Sequence, residues 1–100
     1  MNIVTFRDID ASLLSEHSVE SFDPSGSTKA DIVILDINTI FDFEENKGKI
    51  TNNPFVSIAI IDDESDYDAF KNFGIDAWIK SSDLNQLNKI INLVIKRLLS

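Results

Sequence analysis

Carboxylates close three apolar runs in this chain. Ile32-Val33-Ile34-Leu35 ends at Asp36, Phe55-Val56-Ser57-Ile58-Ala59-Ile60-Ile61 ends at Asp62-Asp63, and Ile3-Val4-Thr5-Phe6 runs into Arg7-Asp8-Ile9-Asp10. An apolar run of this length reads as a strand buried on both faces, the signature of a parallel sheet. Acids at the ends of such strands gather at the carboxyl edge, where open α/β sheets bind ligands. The pattern predicts an anionic site there, or the remains of one. Each acid also has a plainer reading. Asp36 can cap the turn that follows its strand. Asp8 and Asp10 can cap a helix, and Asp62-Asp63-Glu64 suits the first turn of one, where the helix dipole favours negative charge.

The elements that must position these acids follow from periodicity and turn chemistry. Strands are expected over 3–6, 18–22, 32–36, 55–61 and 75–79, the second being weak. Asp10 would cap two helical turns over 10–16. Asp23-Pro24-Ser25-Gly26-Ser27 is a turn, with proline presetting one dihedral and glycine tolerating positive φ. A short helix over 39–46 ends near Gly48, and residues 51–54 form a loop. A helix over 65–73 turns Ala69, Phe70 and Phe73 inward and stops at Gly74. Ser82 caps a final helix over 83–99. Strands alternating with helices imply a parallel sheet. The stretch between 22 and 32 is too short and turn-rich for a normal crossover helix. The expectation is therefore a reduced α/β fold, with helices short or missing in the first third and all 100 residues forming one domain.

Composition excludes several functions. With 9 basic against 17 acidic residues the chain carries −8. That disfavours direct nucleic-acid binding, which needs a basic footprint, and disfavours anionic membrane surfaces. The chain has no cysteine and one histidine, His17. Disulfides, thiol catalysis and multi-histidine metal sites are thereby excluded. No apolar stretch reaches the length of a membrane span. The amino terminus lacks the basic and apolar segments of a signal peptide. The expectation is a cytoplasmic protein, and no nucleophile–base pair marks it as an enzyme.

The segment Ala30-Asp31-Ile32-Val33-Ile34-Leu35-Asp36-Ile37-Asn38 resembles the third strand of the receiver domains of bacterial response regulators, where the closing aspartate accepts phosphate. The resemblance continues through Pro54–Ile60 and is clearest in Phe70-Lys71-Asn72-Phe73-Gly74-Ile75-Asp76-Ala77-Trp78-Ile79-Lys80. It implies a flavodoxin-like sandwich with a five-stranded parallel sheet in the order 2-1-3-4-5. It makes Asp36 the candidate phosphoacceptor and Asp8, Asp36 and the carbonyl of Asn38 the candidate magnesium ligands. Lys80 becomes the candidate phosphate contact. Several positions depart from the family pattern. Arg7 stands where a second acid directs the metal, and Ala59 where a hydroxyl binds phosphate. Lys80 comes one residue early after Gly74, and Ser81-Ser82 replaces a proline. A one-residue shift on a strand turns a side chain to the opposite face, unless a local deletion restores it. Lys80 therefore either pairs with Asp36 or stands solvated. The implied protein is a pseudo-receiver without a required cofactor, with Mg²⁺ admitted if the acidic site is intact. A working Mg²⁺-dependent phosphoacceptor receiver is the alternative.

The last helix adds an interaction surface. Leu84, Leu87, Ile91, Val94, Ile95 and Leu98 form a core stripe at helical spacing, and Ile90, Leu93 and Leu99 widen it. A face wider than one sheet covers points to a protein partner or a homodimer. The competing explanation is that missing neighbour helices let this one bury more of itself. Trp78 matches an aromatic switch position of the resembled family, and equally suits a half-buried strand.

Overall fold

The computed structural model describes residues 2–7, 9, 17–22, 30–46, 48, 50 and 55–99, with backbone only at 98 and 99. Five parallel strands form one sheet: β1 Asn2–Thr5, β2 Ser18–Ser21, β3 Ile32–Asp36, β4 Val56–Ile61 and β5 Ala77–Lys80. Their order, β2-β1-β3-β4-β5, is the flavodoxin-like one. The two central strands β3 and β4 are buried at every position, which explains their unbroken apolar sequence. The edge strand β2 buries little and carries the weakest apolar signal.

Three α-helices pack on the sheet. Helix α1, Ile40–Asn46, and α2, Glu64–Phe70, cover one face, with Ile40, Phe43 and Phe70 meeting Val33, Leu35, Ala59 and Ile61. Helix α3, Leu87–Val94, covers the other, with Leu87, Ile91 and Val94 against Ile3, Ile32, Ile34, Ile58 and Ile60. Alternate residues of β3 thus feed two separate cores, as the period-two geometry of a strand requires.

Several local details differ from the sequence expectations. Helix α2 ends in a 3₁₀ turn, Lys71–Phe73, and stops at Gly74, whose φ of 67° suits a residue without Cβ. Phe70 is fully buried and Phe73 half-buried, but Ala69 is exposed. Strand β5 starts at Ala77, two residues later than expected. Asp76 explains the delay, because its carboxylate is used to clamp β4. The last helical run is not one α-helix capped by Ser82. It begins as 3₁₀ over Ser81–Gln86 with a kink at Asp83, becomes α3, and widens into a π turn over Ile95–Leu99. No side-chain cap closes its start. The expected helix over 10–16 and the turn at 23–27 lie outside the described residues.

Candidate functional site

Asp36 closes β3, and strand register decides what it meets. It is buried, 7% exposed. Its Oδ1 accepts from the backbone N–H of Asn38 at 3.0 Å and from the Thr39 hydroxyl at 3.0 Å. Thr39 N–H donates to the Asp36 carbonyl at 3.1 Å, and Thr39 Oγ1 accepts from Asp36 N–H at 2.9 Å. Asp36 and Thr39 therefore close the turn from β3 into α1 from both ends, the capping role open to a strand-end aspartate. Asn38 enters through its backbone N–H, and its side chain is exposed.

The remaining oxygen, Oδ2, faces Arg7 Nε at 3.7 Å. The sheet dictates this pairing. Thr5 of β1 registers with Ile34 of β3, so two residues further along each chain Arg7 and Asp36 reach the same face. The pair is an ion contact longer than a hydrogen bond. Its side chains are 28% and 10% exposed, so solvent screens it only in part. Asp8, the other acid of the expected metal set, lies outside the described residues. Among the described residues no three His or acidic side chains converge to hold a metal ion. The described donors fit a divalent cation poorly, because a guanidinium already faces Oδ2 and two donors occupy Oδ1.

Lys80 does not meet Asp36. Register runs Asp36–Ile60–Ile79 across β3, β4 and β5, so Lys80 sits one residue beyond that row. It pairs with Ile61, whose side chain belongs to the opposite core. Its ammonium reaches Glu64 Oε1 of α2 at 3.3 Å in solvent. The one-residue offset visible in the sequence is thus realised as a change of face. Ala59 is fully buried and contributes no hydroxyl.

The acids after β4 take a structural role. Asp63 caps α2 by accepting from Ser65 N–H at 2.9 Å, and Asp66 returns to the backbone N–H of Asp63, forming a capping box. The Ser65 bond holds the Asp63 carboxyl below the usual aspartate range. The sequence reading did not anticipate the Ser57–Asp76 clamp. Asp76 Oδ2 accepts from Ser57 N–H at 2.9 Å and Ser57 Oγ at 3.1 Å, and Asp76 N–H donates back to the Ser57 carbonyl. A serine inside an otherwise apolar buried strand was the available signal, since such a hydroxyl needs a partner.

The candidate interaction residues gather beside the edge strand β5. Trp78 is half-buried against Tyr67, ring centroids 4.9 Å apart, and its indole N–H has no acceptor among the described residues. Ile90 is half-buried and Leu93 is 43% exposed. Trp78, Ile90 and Leu93 line one groove of about 650 Å³, with Lys80 and Lys89 at its rim. The side chain of Leu99 lies outside the described residues. Comparison with protein-family models, with curated proteins and with solved structures returns no match.

Proposed function

We propose that this chain is a non-enzymatic regulatory module that signals through protein–protein contact, with a phosphoacceptor-like site turned to structural use. The observation that carries the reading is the state of Asp36. One of its oxygens holds the β3–α1 turn and the other faces Arg7. A nucleophilic carboxylate needs free lone pairs, a metal to neutralise incoming phosphate, and donors for the transferred group. Here an intramolecular cation takes the metal's electrostatic role, Lys80 is on the other face, and Ala59 offers no donor. The proposed contact surface is the groove of Trp78, Ile90 and Leu93, because it exposes apolar area beside an unpaired strand edge. The partner is another protein or a second copy of the chain. The acidic balance speaks against nucleic acid. No described helix is long and apolar enough to cross a membrane, and a cytoplasmic setting is part of the proposal.

The test is intact-mass spectrometry after incubation with acetyl phosphate and Mg²⁺. The expected result is predominantly unmodified protein. A near-complete single phosphoryl adduct, lost in Asp36→Asn, would select the working phosphoacceptor receiver instead.

A further inference from the structure

A cleft of about 340 Å³ opens at the carboxyl edge of β1 and β2, beneath α1. Asp36 and Thr39, which close the β3–α1 turn, are not among the residues that line it. Phe6 and Phe22 stack on one another, centroids 4.4 Å apart and 16° from parallel. Both are held by main-chain bonds, Phe6 N–H to the Ile34 carbonyl at 2.8 Å and Phe22 N–H to the Thr5 carbonyl at 2.9 Å. The stack is thus an apolar wall on an anchored backbone. Arg7 and Asp42 bring opposite charges to the same cleft, with Ser21 and Asn46 between the strands and the helix.

Arg7 has donors to spare. Its Nε approaches Asp36 only at 3.7 Å, and its Nη1, shielded from water, has no acceptor among the described residues. An unsatisfied guanidinium N–H is costly when shielded from water, and a carboxylate is its best geometric match. Asp42 makes no side-chain hydrogen bond or ion pair among the described residues; only its carbonyl is used, accepting from Asn46 Nδ2 at 2.7 Å. A simple anion would enter a chain of −8 and meet Asp42 beside Arg7. A simple cation would meet Arg7. A molecule carrying both charges meets neither penalty.

We propose that the cleft binds a small zwitterion of the α-amino-acid type. Its carboxylate engages the guanidinium of Arg7 where it lines the cleft, its ammonium engages Asp42, and its apolar side chain lies on the Phe6–Phe22 stack. The volume stands at the lower end for small-ligand sites and suits one amino acid rather than a nucleotide. The inference does not rest on the regulatory reading of Asp36.

The experiment is a ¹H–¹⁵N NMR titration of the full chain with L-leucine and L-phenylalanine at millimolar concentration. Parallel arms use N-acetyl-L-leucine, which lacks the ammonium, and L-leucine amide, which lacks the carboxylate. Saturable shifts confined to the amides of Arg7, Ser21, Phe22 and Asn46 are expected with the free amino acids. Each capped analogue should bind at least about tenfold more weakly, the loss of one charged contact. Asp42→Asn, on the exposed face of α1, should keep the fold and weaken the free amino acid by a similar factor. Arg7→Lys should also weaken it, because a point charge lacks the fork that matches a carboxylate. Absence of saturable shifts with either amino acid would overturn the proposal. So would equal binding of either capped analogue, or full affinity in Asp42→Asn. If Arg7→Lys fails to fold, the capped analogues and Asp42→Asn still decide.

Discussion

Arg7 and Asp36 face one another across the β1–β3 junction, Nε to Oδ2 at 3.7 Å, at the point where the strand order reverses. This junction is the topological switch point at which open α/β sheets place their ligands. The chain spends it on an internal ion contact and a capped turn. Asp36 accepts from Asn38 N–H and the Thr39 hydroxyl and faces the Arg7 guanidinium, so its removal strands two donors and leaves a partly buried cation unpaired. Asp36→Ala should destabilise the fold by about 2–4 kcal/mol in denaturant melts. Asp36→Asn retains one acceptor oxygen and should cost less. A stabilised Asp36→Asn at neutral pH would mean that repulsion among carboxylates, rather than capping and Arg7, governs the edge.

Lys80 should be dispensable to that edge. Its partner Glu64 is exposed, and such ion pairs contribute at most about 1 kcal/mol. Lys80→Ala is expected to shift stability by less than about 0.5 kcal/mol and to leave the NMR resonance of the Asp36 carboxyl unmoved. A large shift at Asp36 would place the ammonium on the other face of the sheet.

The start of α2 should weaken in acid. The folded-state pKa of Asp63 is lowered by the Ser65 N–H, so its contribution is fully present above the ordinary aspartate value of 3.8. It is lost as pH falls through the lowered folded value. Carboxyl-resolved NMR titration should give Asp63 a midpoint below 3.8, and Ser65→Pro, which removes the donor N–H, should bring it back towards that value.

Ser57 and Asp76 tie β4 to the approach of β5 through paired hydrogen bonds, Ser57 being 3% exposed and Asp76 at the surface. Ser57→Ala strips one donor from Asp76 and should cost about 1–2 kcal/mol. Asp76→Ala removes the acceptor of both the Ser57 hydroxyl and its N–H and should cost more. Equal and negligible effects in both would show that the clamp contributes nothing to the edge strand.

Ile91 and Leu93 lie two residues apart on α3, on different faces, and should respond oppositely to charge. Ile91 is fully buried, so Ile91→Glu should unfold the domain. Leu93 is 43% exposed, so Leu93→Glu should leave it folded. If the groove of Trp78, Ile90 and Leu93 pairs two copies, light scattering will give a dimer for the parent and a monomer for Leu93→Glu. A concentration-independent monomer for the parent would leave a different protein as the partner.

The order of elements was legible because each is encoded by neighbours in the chain. Buried runs such as 32–36 and 56–61 need only local apolarity, and the acids after β4 signal a helix start through the dipole alone. Ala69 and the broken final helix escaped because helical periodicity says where a stripe lies and not how far the sheet beneath extends. The departures at Arg7, Ala59 and Lys80 were equally visible as residue types, but their consequences were not. Whether Lys80 faces Asp36 depends on the registers of β3 with β4 and of β4 with β5, set between segments about twenty residues apart. Whether Arg7 or a metal neutralises Asp36 depends likewise on the pairing of β1 with β3. Sequence alone determined that carboxylates would reach the carboxyl edge. Only the tertiary structure decided which cation each would meet, because charge pairing is a matter of a few ångströms and those ångströms belong to strand register.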